Sequence, residues 1–141
     1  MSEPSTIHGQ CLCGAVKVTA RTENPILRVC HCDMCRRHTS GAFFSIETLP
    51  DSIEVTGPAQ TYKSSEWAQR GFCGTCGSTL WYETVQDGRR NLAAGLFANA
   101  GDGTLKLEFF ADMCPQGYRL EGDHKRLSTQ QTIALFTGGN V

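Results

Sequence analysis

Eight cysteines are the residues best able to do chemistry in this chain of 141 residues. Seven of them fall into three short groups, a C-x-C, a C-x-C-x-x-C and a C-x-x-C, while Cys114 stands alone. Cysteines two or three residues apart rarely pair in a disulfide, because the geometry of the bond would strain so short a loop. Thiolates grouped in this way are common ligands of metal ions, above all of zinc. The spacing therefore favours metal binding over a disulfide framework or a redox pair.

Two of the groups end in Cys-Gly and can form two halves of one site. They consist of Cys11 with Cys13 and of Cys73 with Cys76. An extended segment points the first pair to one side, and a tight turn, with a glycine free to take a positive φ, brings the second pair together. Four thiolates make a closed tetrahedral site, so we expect a structural zinc that closes the 59 residues between Cys13 and Cys73. Free cysteines buried in a β core are the alternative.

The remaining group supplies three thiolates within six positions, from Cys30, Cys32 and Cys35. A strand end that carries the first two and a turn that carries the third would place all three sulfurs around one point. Three protein ligands with an open fourth position are typical of a catalytic zinc, although a rubredoxin-like iron fits the same donors. We therefore expect a second, catalytic-type zinc here and take Cys32 as the candidate catalytic residue.

Polar neighbours of this group leave a second interpretation open. His31, His38 or Cys114 could complete the ligand set and make this site structural as well. His31 lies between two cysteines of an extended segment, so we expect it to face away from their metal and to be packed or hydrogen-bonded. Arg36 and Arg37 form either a solvated surface pair or a bidentate site for a substrate carboxylate.

The elements that must hold these cysteines are predicted to be short strands separated by Gly, Pro, Asn and Asp, so the expected fold class is mainly β. The predicted strands lie at 15–19, 42–47, 53–56, 61–63, 79–84, 91–97 and 105–109. Only the C-terminus is predicted as a short helix, because Ser128 and Gln131 form a capping-box pattern and glycines at 138–139 can end the element. Three strand aromatics are predicted to pack in the core rather than to line a substrate site: Phe43, Phe44 and Trp81.

Composition and charge exclude several classes of function. The chain carries 13 Lys and Arg against 14 Asp and Glu, which gives no electrostatic reason to expect nucleic acid or an anionic membrane as a partner. No apolar run approaches the ~20 residues of a membrane span. The N-terminus lacks the basic start and apolar centre of a secretory signal. We therefore expect a single domain over residues 1–141, located in the cytoplasm.

The order and spacing of the cysteine motifs resemble those of one known family. The motifs are QCLCG at 10–14, CHC at 30–32, CRR at 35–37, Gly41, RGFC at 70–73 and CG at 76–77. Together they resemble the glutathione-dependent formaldehyde-activating enzyme family, which is also named for its centromere protein V relatives. The resemblance runs from about Gly9 to Tyr82, and the tail is similar only loosely.

The resemblance implies a fold, a metal content and an activity. The fold is the Mss4-like one, several short coiled antiparallel sheets stabilised by zinc. The two zinc ions per chain would be a structural one and a catalytic-type one, bound respectively by Cys11, Cys13, Cys73 and Cys76 and by Cys30, Cys32 and Cys35. The activity is that of a carbon–sulfur lyase, which in the synthetic direction adds glutathione to formaldehyde or a related small aldehyde. The implied partner is therefore a small-molecule substrate.

Two other functions compete with this one. A non-catalytic binding module stabilised by two structural zinc sites is the main alternative. Methionine sulfoxide reductase chemistry, which occurs on a similar fold, needs an exposed catalytic cysteine, and only Cys114 lies outside the zinc patterns.

Overall fold

The computed structural model describes residues 3–137, which form eleven strands and two α-helices. The helices are α1 (Asp33–Thr39) and α2 (Thr129–Phe136). The strands are β1 (Ser5–Gln10), β2 (Lys17–Thr22), β3 (Ile26–Cys30), β4 (Phe43–Ile46), β5 (Glu54–Thr56), β6 (Ala59–Lys63), β7 (Ala68–Cys73), β8 (Thr79–Thr84), β9 (Arg90–Ala93), β10 (Thr104–Phe109) and β11 (Lys125–Arg126). The predicted mainly β class is confirmed.

The strands form two sheets. The smaller sheet has the order β1-β2-β5, and the larger has the order β11-β10-β3-β4-β9-β8-β7-β6. All pairs are antiparallel except those of β10, which runs parallel to both β3 and β11. The tail of the chain thus joins the larger sheet through β10 and β11, beside the strand that carries Cys30.

Side chains from both sheets share one hydrophobic core. Val18 of the smaller sheet is fully buried, as are Leu80 and Leu92 of the larger one. Phe43 and Trp81 are buried in this core as predicted, but the prediction for Phe44 is wrong, since its side chain is 40% exposed. Adjacent residues of a strand point to opposite faces, so the two phenylalanines of β4 cannot both face the core.

Gly71 lies opposite Trp81 in the β7–β8 pair and leaves room for the indole. A Cβ at this position would fall within the radii of three ring atoms of Trp81. Gly71→Ala is therefore expected to lower the free energy of unfolding by roughly 1–3 kcal/mol, measured by urea denaturation. Gly95→Ala is the matched control, because a Cβ there meets nothing within 4 Å. Equal stability of the two variants would contradict this explanation.

All seven predicted strands overlap observed ones, but four observed strands are missing from the prediction. The two that matter for the cysteines are β3 and β7. Both carry an arginine among apolar residues, Arg28 in β3 and Arg70 in β7, and β7 also contains a glycine. These residues interrupt the period-two alternation on which strand prediction depends.

The structure corrects the prediction that only the C-terminus is helical, and with it the turn expected at Cys35. Cys32 caps α1, because its sulfur accepts a hydrogen bond from the Cys35 amide at 3.4 Å. Asp33 in the first turn and basic residues in the last turn complement the helix dipole, and Ser40 ends the helix with φ 77°. Seven residues are too few to display a helical apolar repeat, which is why α1 escaped prediction.

The predicted capping box of the C-terminal helix is confirmed. The Ser128 hydroxyl accepts a hydrogen bond from the Gln131 amide at 3.1 Å, and the Gln131 side chain accepts one from the Ser128 amide at 2.9 Å. The glycines expected to end this helix, at 138–139, lie outside the described residues. Neither α1 nor α2 has the length and apolar character that a transmembrane helix requires.

Candidate functional site

Four sulfurs from distant parts of the chain converge in what we call the first cluster: Cys11, Cys13, Cys73 and Cys76. All four lie within 4.8 Å of one another. The Cys13 sulfur is 3.6 Å from that of Cys11 and 3.8 Å from that of Cys73. A zinc ion with Zn–S bonds of about 2.3 Å requires sulfurs about 3.8 Å apart. The donor set and its spacing therefore fit a tetrahedral metal site.

The first cluster connects the two sheets. Cys11 directly follows β1 of the smaller sheet, and Cys73 ends β7 of the larger one. Cys13 lies in a turn rather than in the extended segment that we expected. Gly77 has φ 81° as predicted, and Gly14, for which no positive φ was predicted, has φ 79°. This positive φ lets each turn fold back towards its sulfurs.

Hydrogen bonds surround the sulfurs of Cys73 and Cys76. The amides of Thr75 and Cys76 both donate to the Cys73 sulfur at 3.4 Å. Hydrogen bonding to Ser78, whose hydroxyl lies 3.1 Å from the Cys76 sulfur, lowers the pKa of Cys76 to about 5. Thiolates are the form that binds metal, so the low pKa of Cys76 favours the binding of a cation at this turn.

Three further sulfurs form the second cluster: Cys30, Cys32 and Cys35. They also lie within 4.8 Å of one another. Cys30 ends β3, Cys32 caps α1, and Cys35 lies in the first turn of that helix. Within residues 3–137, no further histidine, cysteine or carboxylate joins this group. The cluster could therefore bind a metal ion through three thiolates and leave one coordination position to another molecule.

Cys32 is the residue of the second cluster that holds negative charge most readily. Hydrogen bonds from Cys30 and Cys35 lower the pKa of Cys32 to about 2. Hydrogen bonding to Cys32 and Cys35, together with burial, raises the pKa of Cys30. Cys32 also lies at the N-terminus of α1, where the amide groups of the first turn favour a thiolate.

Arg70 lies next to the second cluster, and the sequence analysis did not single it out. It is 2% exposed, and its Nη1 donates a hydrogen bond to the Cys35 sulfur at 3.2 Å. Its Nε donates to the Ser64 hydroxyl at 3.3 Å, and its guanidinium carbon lies 4.8 Å from the centre of the Tyr82 ring. The signal was present, because the RGFC motif contains an arginine inside a strand whose other residues are mostly apolar.

The polar residues that follow the second cluster have other partners. Arg36 pairs with Asp33 at 3.2 Å on the surface, and Arg37 is exposed, which agrees with a solvated pair. His38 does not join the cluster, but burial and the charge of Arg70 lower its pKa. Cys114 lies apart from both clusters, and its thiol donates to the Tyr118 carbonyl at 3.6 Å.

A cavity beside the first cluster does not coincide with the second cluster. Its volume is about 770 Å³, and it extends from Cys11 of the first cluster to Thr39 at the end of α1 and the exposed Phe44. No sulfur of the second cluster lines it. This cavity therefore does not mark the second cluster, and the donor chemistry of the sulfurs is the better guide to a candidate site.

Residues 6–112 match the family described as glutathione-dependent formaldehyde-activating enzyme. The chain belongs to this family. A relative from Schizosaccharomyces pombe, named as an uncharacterized lyase, is 39% identical over 75 residues, which are 52% of this chain and 55% of that protein. The matched part of the chain thus spans about half the length of this curated relative.

A solved structure of a Rhodobacter sphaeroides protein has a similar fold. Its TM-score is 0.56 at 20% sequence identity, and the match covers 71% of this chain and all of that one. At this level of identity the similarity concerns the fold alone.

A buried carboxylate connects the tail of this family member to the second cluster. Glu108 is 3% exposed, and one of its oxygens lies 2.7 Å from Nε2 of His31, the residue between Cys30 and Cys32. His31 thus faces away from the sulfurs and is hydrogen-bonded, as predicted. The other oxygen accepts from His124 and from Nε of Arg126 at 3.2 Å. Glu108 lies inside the segment shared with the family, whereas His124 and Arg126 lie beyond it.

Glu108→Gln is expected to destabilise the fold by about 3 kcal/mol, because it leaves buried donors without their anionic partner. Glu54→Gln is the matched control, since Glu54 is exposed on β5. Urea denaturation of both variants measures the difference. A similar free energy of unfolding for the two variants would mean that the Glu108 network contributes little.

Proposed function

We propose that this protein is a zinc-dependent enzyme of the lyase type, which adds a thiol, with glutathione as the expected one, to formaldehyde or a related small aldehyde. One observation carries the proposal: the second cluster offers three sulfurs and, within the described residues, no fourth ligand. The family description and the lyase name of the yeast relative support it. A binding module with two structural zinc sites would need a fourth donor at this cluster, and His31, His38 and Cys114 do not provide it.

The reaction needs no oxidant or reductant. The sulfur of the thiol forms a bond to the aldehyde carbon, and the π electrons of the carbonyl move to its oxygen. The proton lost by the thiol ends on that oxygen, so the product is a hydroxymethyl thioether when the aldehyde is formaldehyde. The reverse reaction breaks the carbon–sulfur bond, which is the direction that gives a lyase its name.

The residues of this chain would have separate roles in the reaction. Cys30, Cys32 and Cys35 would hold the zinc ion. When bound, zinc acts as a Lewis acid that keeps thiols ionised near neutral pH and polarises carbonyl oxygens. Arg70 secures the Cys35 sulfur by its hydrogen bond of 3.2 Å. The first cluster, which connects the sheets, would hold the structural zinc.

The proposal is tested by the rate at which the thiol adduct of formaldehyde forms. NMR exchange spectroscopy measures this rate at equilibrium for glutathione, cysteine and 2-mercaptoethanol, with and without zinc-loaded protein. We expect the protein to accelerate the exchange of at least one thiol in proportion to its concentration. Bovine serum albumin at equal concentration controls for non-specific effects. Exchange rates identical to those of the control for all three thiols would refute the proposal.

A further inference from the structure

Within residues 3–137, Arg70 is a buried charge without a carboxylate partner. None of the ion pairs among residues 3–137 involves it. Its contacts are the Cys35 sulfur, the Ser64 hydroxyl and the face of the Tyr82 ring. A buried guanidinium is costly unless an anion lies next to it, and the sulfurs of the second cluster would supply that anion as thiolates bound to a metal ion.

Among the described residues, the first cluster has no such cation. In the part of the chain that the structure describes, its sulfurs accept hydrogen bonds from backbone amides and contact one hydroxyl, that of Ser78. No arginine, lysine or histidine side chain donates to them there. The two clusters therefore differ in the number of their sulfurs and in the charge beside them. The difference in neighbouring charge comes from a single residue, Arg70.

The presence of Arg70 changes the net charge of the second site once a metal ion is bound. A divalent ion with three thiolates carries a net charge of −1, which the guanidinium of Arg70 balances. An anionic fourth ligand then brings the whole site to −1 with Arg70 present and to −2 without it. Excess charge in a partly buried site is unfavourable. Arg70 therefore lowers the free-energy cost of binding an anionic ligand at the open position.

We propose that Arg70 is a positioning residue that holds the Cys35 thiolate and makes the second site selective for an anionic fourth ligand, of which a thiolate is the relevant class. The proposal rests on the proposed function for its physiological ligand, but it concerns binding and needs no aldehyde. A neutral ligand such as imidazole should gain nothing from Arg70, since it adds no charge to the site.

The first test compares zinc release in the wild-type protein, Arg70→Met and Arg70→Lys. A chromogenic chelator reports how fast each zinc ion leaves. We expect Arg70→Met to release one of two zinc ions about tenfold faster and to leave the other unchanged, because only the second cluster loses a charged hydrogen bond. Arg90→Met is the matched control, since Arg90 also stacks on an aromatic ring, at 4.0 Å from the centre of Trp81, but contacts no sulfur. Equal release from Arg70→Met and Arg90→Met would overturn the positioning role.

The second test measures ligand preference spectroscopically in the cobalt-loaded protein. Visible absorption follows titration with 2-mercaptoethanol and with imidazole. We expect Arg70→Met to weaken 2-mercaptoethanol binding about tenfold while imidazole affinity stays within twofold, and Arg70→Lys to restore part of the preference. Equal losses for both ligands would indicate a merely structural role and overturn the proposal. If Arg70→Met does not fold, Ser64→Ala, which removes one partner of Arg70, should cause a smaller shift of the same kind.

The outcomes separate this proposal from the proposed function. An Arg70-dependent preference for thiolate in a protein that does not accelerate adduct formation would support the inference and refute the enzymatic role. Accelerated adduct formation without that preference would do the opposite.

Discussion

Replacing Cys73 by serine is expected to abolish the folded state at room temperature. Cys73 is 1% exposed and ends β7, where its sulfur joins those of the opposite sheet in the first cluster. Binding of a structural zinc contributes about 10–16 kcal/mol in small metal-stabilised domains. Typical domains are stable by only about 5–15 kcal/mol, so the loss of such an ion would exceed what the core can supply. Near-ultraviolet circular dichroism and zinc content per chain measure the effect.

Cys114→Ser is the matched control for this experiment. Cys114 lies outside both clusters and is only partly buried, so this variant should keep both zinc ions and the wild-type melting transition. A Cys73→Ser protein that melts cooperatively near the wild-type temperature would contradict the expectation. The four sulfurs would then be free cysteines packed in a β core, which is the alternative that the sequence left open.

The grouping of the sulfurs was predictable because it depends on local spacing. Cysteines two or three residues apart must lie close together whatever the fold, and the repeated Cys-Gly ending paired two distant groups. The structure places both sets of sulfurs within 4.8 Å, as the spacing indicated. Gly77 takes the positive φ that its turn required. The cysteine groups of the candidate site were therefore easier to predict from the sequence than the strands and the helix that hold them.

The parts that escaped prediction depend on contacts between distant residues. The role of Arg70 arises because β7 lies where its side chain meets Cys35, which is 35 residues away in the sequence. Glu108 reaches His31 across 77 residues, through the parallel pairing of β10 with β3. Neither partner can be identified from periodicity, because spacing along the chain says nothing about such pairs. The prediction that Phe44 is buried was wrong for a different reason: two adjacent aromatic residues of one strand cannot point to the same face of the sheet.

Cys32→Ser is expected to lower the rate of thiol adduct formation by about a hundredfold or more without unfolding the protein. The change removes one of the three sulfurs that would hold the catalytic-type zinc. It preserves the helix cap, because a serine hydroxyl can accept the hydrogen bond that the Cys35 amide gives to the Cys32 sulfur. The variant should therefore keep α1, bind one zinc ion tightly and melt close to the wild-type temperature.

The contrast between Cys32→Ser and Cys73→Ser tells a catalytic site from a structural one. The two changes are chemically identical, since each replaces one sulfur of one cluster by a hydroxyl. The first cluster connects the sheets, whereas the second lies between β3 and the helix that follows it. Loss of stability from both variants would favour the binding module with two structural zinc sites. An unchanged rate in a folded Cys32→Ser protein would place the reaction away from the second cluster. Only a fast rate lost with Cys32, in a protein that still folds, agrees with a thiol brought to an open metal site.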